Sequence, residues 1–204
     1  MKILLIGGAG TLGGSVRDVL VERGHEVVTA SRSHATLGVD ITDPDSIGAM
    51  YEEVGRQVGK VDAVASAAGT VPWAPIEELG FNDVLDGLTG KVLSQVELVR
   101  QGLAHVADGG SFTLVTGILA RDFIRTGIVA SVANAGVEAF VRAAAIELPR
   151  GLRVNAVSPT VFTEAIDRYG DLFAGFDPVP VRRAANAYVR SIEGHQTGQV
   201  YAVE

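Results

Sequence analysis

Glycines fall at positions 7, 10 and 13 of the run Gly7-Gly8-Ala9-Gly10-Thr11-Leu12-Gly13, and Gly8, Gly10 and Gly13 give a second frame, G-x-G-x-x-G. Glycine lets a chain turn sharply and lets backbone N–H groups approach a phosphate that a Cβ would hold off. An apolar run at 3–6 leads into the turn and a helical pattern from Leu12 leads out, so the positive end of a helix dipole faces it. Strand, glycine turn and helix in that order suit the pyrophosphate of a dinucleotide; the plain alternative is a tight turn without a ligand. A second group, Ser31-Arg32-Ser33, follows the next apolar run. A guanidinium and two hydroxyls there suit a ribose 2′-phosphate, where an acidic residue would suit a free 2′-hydroxyl. The alternative for Arg32 is a solvated loop charge.

Such groups meet only if strand ends and helix starts are gathered on one edge. Apolar, strand-forming runs occur at 3–6, 26–30, 37–41, 61–67, 111–116, 153–157 and 199–203. Between them helical spacing predicts helices over 12–23, 44–58, 81–106 and 129–148, with Asp43 as N-cap and Pro44 at the first helical position of the second. Near-continuous apolar strands alternating with helices predict an α/β fold: a three-layer, doubly wound, mostly parallel Rossmann-type sheet of about seven strands. No linker or repeat divides the chain, so 1–204 is read as one domain. Residues 160–180, with Gly, Pro and scattered aromatics, are predicted to form a long loop or small lid at the ligand-binding edge.

Composition narrows the classes. With 47% apolar and 20% charged residues the chain is globular. A net charge of −7 argues against a nucleic-acid partner, which asks for a basic face. The chain has no cysteine, and His25, His34, His105 and His195 have no metal-ligand spacing, so no metal site is expected. No apolar stretch is read as approaching the roughly 20 residues of a membrane span. No leader is expected before the first strand, and the expected setting is cytoplasmic, with a small-molecule substrate.

Taken together and in order, these pieces resemble the short-chain dehydrogenase/reductase family over nearly the whole chain, closest to its compact members. The glycine turn at 7–13 stands in the family's place for it. Asp40-Ile41 look like the segment that meets the adenine, and Ser66-Ala67-Ala68-Gly69 stands where the family usually has Asn-Asn-Ala-Gly. Asn155-Ala156-Val157-Ser158-Pro159 is similar to the family's sixth-strand ending, although Thr160 follows where Gly is usual, and Val161 lies just beyond. Thr163 matches the position whose hydroxyl contacts the nicotinamide carboxamide. The resemblance implies a nicotinamide cofactor held by these residues and hydride transfer to a small carbonyl compound, or from an alcohol. The Ser31-Arg32-Ser33 group then favours NADP(H) over NAD(H). The family's long helices pack against their equals in another subunit, which implies a homodimer or homotetramer.

The chain departs from the family where the proton is handled. The family uses a Tyr, a Lys four residues later, a Ser and an Asn. Alignment places Ala130 at the Tyr position, Asn134 at the Lys position, Gly117 beside Thr116 at the Ser position, and Lys91 at the Asn position. Tyr51, Tyr169, Tyr188 and Tyr201 all lack a Lys four residues on. The candidates for catalysis are Lys91, Thr116 and Asn134. The alternatives are a structural Lys91, a Thr116 that caps its own loop, and an Asn134 limited to a ribose hydroxyl. Arg121, Asp122 and Arg125 could bind an anion or form a loop ion pair, Tyr169 could be a donor on the lid, and Trp73 could wall the pocket. A silent NADP(H)-binding sensor or scaffold, or a non-redox isomerase or cyclase on the same fold, remain open beside an oxidoreductase.

Overall fold

The computed structural model describes residues 1–33 and 36–204; His34 lies outside the described residues. Among the described residues seven strands form one sheet: β1 (Lys2–Ile6), β2 (Glu26–Ser31), β3 (Leu37–Gly38), β4 (Val61–Ser66), β5 (Val106–Val115), β6 (Arg153–Pro159) and β7 (Val200–Val203). Their order is β3-β2-β1-β4-β5-β6-β7, and every pairing is parallel. The order reverses between β1 and β4, and there the strand ends splay to leave a ligand crevice. Gly7 donates its N–H to Ala30 and Ala67 donates to Ile6, both at 2.8 Å, which draws three strand ends together.

Both faces are covered. On one face α1 (Thr11–Glu22) and α6 (Val181–Glu193) bury Val16, Val19, Leu20, Tyr188 and Ile192. On the other lie α2 (Pro44–Val58), α4 (Ser94–Gly102) and α5 (Ile128–Glu147), which bury Tyr51, Leu98, Val137 and Val141. Asp43 caps α2 as expected, its carboxylate accepting from the Asp45 N–H at 3.0 Å. A third apolar cluster of Ile118, Leu119, Ala130, Val161 and Phe173 sits over the crevice.

Four expectations are corrected. The helix read over 81–106 is α3 (Phe81–Gly87), a π-helical segment Leu88–Leu93, and α4; it stops at Gly102, and Val106 already belongs to β5. Gly102 lies so close to Tyr51 and Phe112 that a Cβ there would stand 2.6 Å and 2.7 Å from their rings and hydroxyl. The third strand ends at Gly38 because the Asp40 N–H goes to the Ser46 hydroxyl at 2.9 Å and its carboxylate takes the Thr42 N–H at 3.0 Å. Helix α6 was absent from the sequence expectation, although Val181, Ala184, Ala185, Tyr188 and Ile192 carry its period and are all buried. Finally, α5 is by length and composition alone long and apolar enough to cross a membrane, but its Val137, Val141 and Ala144 are packed into the core.

Candidate active site and cofactor trough

Two cavities of about 310 Å³ each lie side by side over the C-terminal edge of the sheet and share Gly69 and Thr70 as a common wall. They form one trough across the crossover of β1 and β4. One end is built by the β1, β2 and β4 loops, the other by the ends of β5 and β6, the α3–α4 bend and α5.

The first end has the form of a dinucleotide cradle. Gly7 adopts φ +83°, and a Cβ on it would stand 2.9 Å from the Ala67 carbonyl. A Cβ on Gly13 would stand 2.0 Å from the Gly7 carbonyl oxygen, so only glycine lets α1 start this close to the turn. Helix α1 begins without a side-chain cap, which leaves its first backbone N–H groups for a ligand. Gly7, Gly10, Ser31, Arg32, Ser33, Asp40 and Ile41 line this end, with Ala67, Ala68 and Gly69 as its floor. Ser31 donates its hydroxyl to the Ser33 carbonyl and so folds the loop that presents Arg32. Arg32 is exposed and makes no ion pair among the described residues; it draws the Asp40 carboxyl down, after the two hydrogen bonds from Thr42. Ala9, Val39, Thr42 and Gly90 also line the cavity; nothing in their residue types announces it.

At the other end Lys91, Thr116, Gly117, Ala130 and Asn134 line one cavity. The π-helical segment sets the position of Lys91. Its Gly90 carbonyl accepts from the Thr70 N–H at 3.3 Å, and a Cβ on Gly90 would stand 2.7 Å from the Thr70 oxygen, so helix and loop touch backbone to backbone. Such local widenings of a helix often mark functional positions. The aliphatic stem of Lys91 then passes Gly69, its Cγ about one van der Waals contact (3.5 Å) from where a Gly69 Cβ would be. Buried Gln95 fixes the bend: its amide donates to the Lys91 carbonyl at 3.0 Å and to Val115 at 2.8 Å, and accepts from Val115 at 2.7 Å. Burial without a counter-ion lowers the Lys91 ammonium from its usual range to about 8.

Asn134 is 4% exposed and Thr160 5%, and neither the Asn134 Oδ1 nor the Thr160 Oγ1 has a partner among the described residues. Both line this cavity, and a buried polar atom without a partner asks for one from a ligand. The residues present therefore fit a nicotinamide dinucleotide: a glycine cradle at one end and an orphaned amide oxygen at the other. Pro159, Val161, Trp73, Phe162, Tyr169 and Phe173 line the same end.

Other expectations change. Thr116 lines the cavity, but its hydroxyl donates to the Asn134 carbonyl at 3.0 Å, with the Glu138 carboxylate 3.5 Å away, so its proton is already committed to α5. Ser66 is fully buried and its hydroxyl donates to the Ala68 carbonyl at 3.5 Å; it supports the floor from beneath. Thr163 is exposed, lies on neither cavity wall, and gives its N–H to Val179 at 3.0 Å. Thr11 and Leu12 are not on the cavity wall, but they open α1 beside the cradle and carry its uncapped backbone N–H groups. Arg121 donates to the Ser158 hydroxyl at 2.7 Å and pairs with Glu204, so it closes the sheet edge; Asp122 is exposed, and Arg125 lines a separate surface groove. Of the tyrosines, Tyr51 donates to Leu98 and Tyr188 to Ser66, each at 2.6 Å, and burial pushes both phenols up. Only Tyr169 reaches the trough. The sequence carries no signal for Gln95 or Glu138, and it marks Thr160 only as a departure from the usual Gly after the sixth strand; a glutamine or a glutamate on a helix has no spacing signal.

Known proteins are similar to this chain over most of its length. The family model described as enoyl-(acyl carrier protein) reductase matches residues 8–191. A cis-4-hydroxycyclohexanecarboxylate dehydrogenase of Sinomonas cyclohexanicum is 30% identical over 178 residues, which cover 76% of this chain and 71% of that one. Against two further curated relatives the chain spans 51% and 73% of their length. Among solved structures, protein lin1944 of Listeria innocua is 46% identical, with a TM-score of 0.96 and full coverage of both chains. A small-chain dehydrogenase solved in complex with NADPH is 24% identical, with a TM-score of 0.86 over 100% of this chain and 96% of its own, and shares the fold.

Proposed function

Because the chain belongs to the short-chain dehydrogenase/reductase family, we propose that it is an NADP(H)-dependent oxidoreductase that reduces a small carbonyl compound or oxidises the matching alcohol. The observation that carries this reading is the single trough, with a glycine cradle and Arg32 at one end and Lys91 and Asn134 at the other. The NADPH of the small-chain dehydrogenase complex and the Ser31-Arg32-Ser33 loop both favour NADP(H) over NAD(H).

When bound, the nicotinamide supplies or accepts the hydride. The chain supplies the rest. The N–H groups of the glycine turn and of the start of α1 hold the pyrophosphate. Arg32, with Ser31 and Ser33, would hold the 2′-phosphate as a charge-assisted pair, and Asp40 and Ile41 would face the adenine. Asn134 accepts from a ribose hydroxyl through Oδ1. Lys91 would give a proton to the substrate's carbonyl oxygen and regain it from water. A lysine near 8 is a better general acid at neutral pH than one at its ordinary value. Ala130 removes the phenol the family uses here, and a silent NADP(H) binder is the second reading, favoured by that one residue.

Nicotinamide absorbance on mixing the protein with NADPH and a panel of small aldehydes, ketones and oxo acids separates the two. The first reading expects turnover that falls as pH rises through about 8 and drops by roughly 10²–10⁴ in Lys91→Met. Tight NADPH binding with no turnover across the panel would leave the silent binder. We also propose a homodimer or homotetramer in the cytoplasm. Phe81, Leu85 and Leu93 of the α3–α4 rod, and Val132 and Ile146 of α5, stand 82%, 44%, 51%, 49% and 88% exposed, an apolar set that water disfavours.

A further inference from the structure

The reaction end of the trough has an uneven chemistry. Lys91 is the one charged side chain on its wall; no Asp, Glu, His or Arg lines it among the described residues, in a protein of net charge −7. Burial desolvates its ammonium, and no carboxylate pairs with it among the described residues. Thr160 adds an unpartnered hydroxyl to the same wall. The remainder is apolar and aromatic: Trp73 lies 6.1 Å from Tyr169, and Tyr169 lies 5.2 Å edge-on to Phe173. A cation held out of water without a counter-ion destabilises the empty site, and a ligand that brings an anion offsets that cost.

We propose that the substrate of this pocket is a 2-oxo acid: a carbonyl compound with its own carboxylate next to the reacting carbon, on an apolar, ring-sized body. The carboxylate pairs with Lys91 and accepts from the Thr160 hydroxyl. An ammonium has three N–H donors, so the same group reaches the adjacent carbonyl oxygen. The apolar body lies on the Trp73–Tyr169–Phe173 rings. In reduction the carbonyl carbon takes hydride from NADPH, the oxygen takes the Lys91 proton, and the product is a 2-hydroxy acid with NADP⁺. The carbonyl half rests on the oxidoreductase reading; the carboxylate half does not.

The groups that face Lys91 leave it to set the pH response. Tyr169, from the 160–173 loop, is the other titratable side chain on the wall. From α5, Glu138 lies behind Thr116, tied to Ser158 at 3.3 Å and Arg142 at 3.2 Å, with Arg121 4.0 Å away. None of these three charged groups lines the cavity.

The test is calorimetric binding of phenylglyoxylate and of its neutral amide, phenylglyoxamide, to the NADP⁺-loaded protein and to the protein alone. We expect the acid to bind at least about tenfold tighter at pH 7, with the preference shrinking above pH about 8 as Lys91 loses its charge. Lys91→Met should abolish the preference and Lys91→Arg should keep most of it, with thermal unfolding confirming that both variants fold. Equal or tighter binding of the amide, no binding of either at millimolar concentration, or an acid preference that survives Lys91→Met overturns the proposal. A Lys91-dependent acid preference without any NADPH oxidation supports the anion site and sinks the redox reading. NADPH oxidation as fast with neutral ketones as with oxo acids does the reverse.

Discussion

Lys91 is a residue whose placement works against the fold. In the unfolded chain its ammonium titrates near 10.5, in the folded one near 8. Between those values the unfolded chain holds a proton that the folded one has lost, so stability rises with pH across that window. Below pH 8 the fold bears the whole penalty. Lys91→Met should therefore stabilise the ligand-free protein at pH 7 by on the order of 2–3 kcal/mol, a gain that fades by about pH 10. Denaturant unfolding of both proteins at the two pH values checks this; a destabilised variant at pH 7 would mean that Lys91 is a structural residue. That Lys91 and Asn134 share a cavity was legible because helical register fixes where each falls along its own helix. The roles of Gln95 and Thr160 were not, since a side chain that clamps a backbone carbonyl or faces a cavity is defined by partners far away in sequence.

At the scale of elements, the trough depends on approaches too close for side chains. Gly13 lets α1 begin against the Gly7 carbonyl, and Gly90 lets the π-helical bend touch the loop after β4. Gly13→Ala would place its Cβ 2.0 Å from a backbone oxygen that has little room to move. We expect a loss of about 1–3 kcal/mol in chemical denaturation and at least a tenfold weaker NADPH titration. Unchanged stability and affinity would show that α1 is free to shift. The glycine turn, the Asp43-Pro44 start of α2 and most strands were legible because each is a local signal. The π-helical segment was not: its apolar spacing resembles that of an ordinary helix, and the bend arises where Gly90 meets Thr70. Helix α6 had its period in plain view, but the Gly- and Pro-containing stretch before it masked its start.

For the whole molecule, the alternation of strands and helices fixed the layered α/β architecture, and the crevice followed from the order β3-β2-β1-β4. Assembly is a second property at this scale. Leu93 and Val132 project from neighbouring helices, and Leu93→Glu with Val132→Glu should convert a sedimenting dimer or tetramer to monomer without unfolding it. A wild-type protein that sediments as a monomer would contradict the proposed interface. Cofactor choice depends on the trough from end to end, and it is the claim on which the functional account stands. The most direct measurement is calorimetric titration of the protein and of Arg32→Ala with NADPH and with NADH. The account expects NADPH to bind more tightly than NADH, and Arg32→Ala to weaken NADPH by about 10–100-fold while leaving NADH nearly unchanged. Binding of neither nucleotide, or an equal loss for both in the variant, would contradict it.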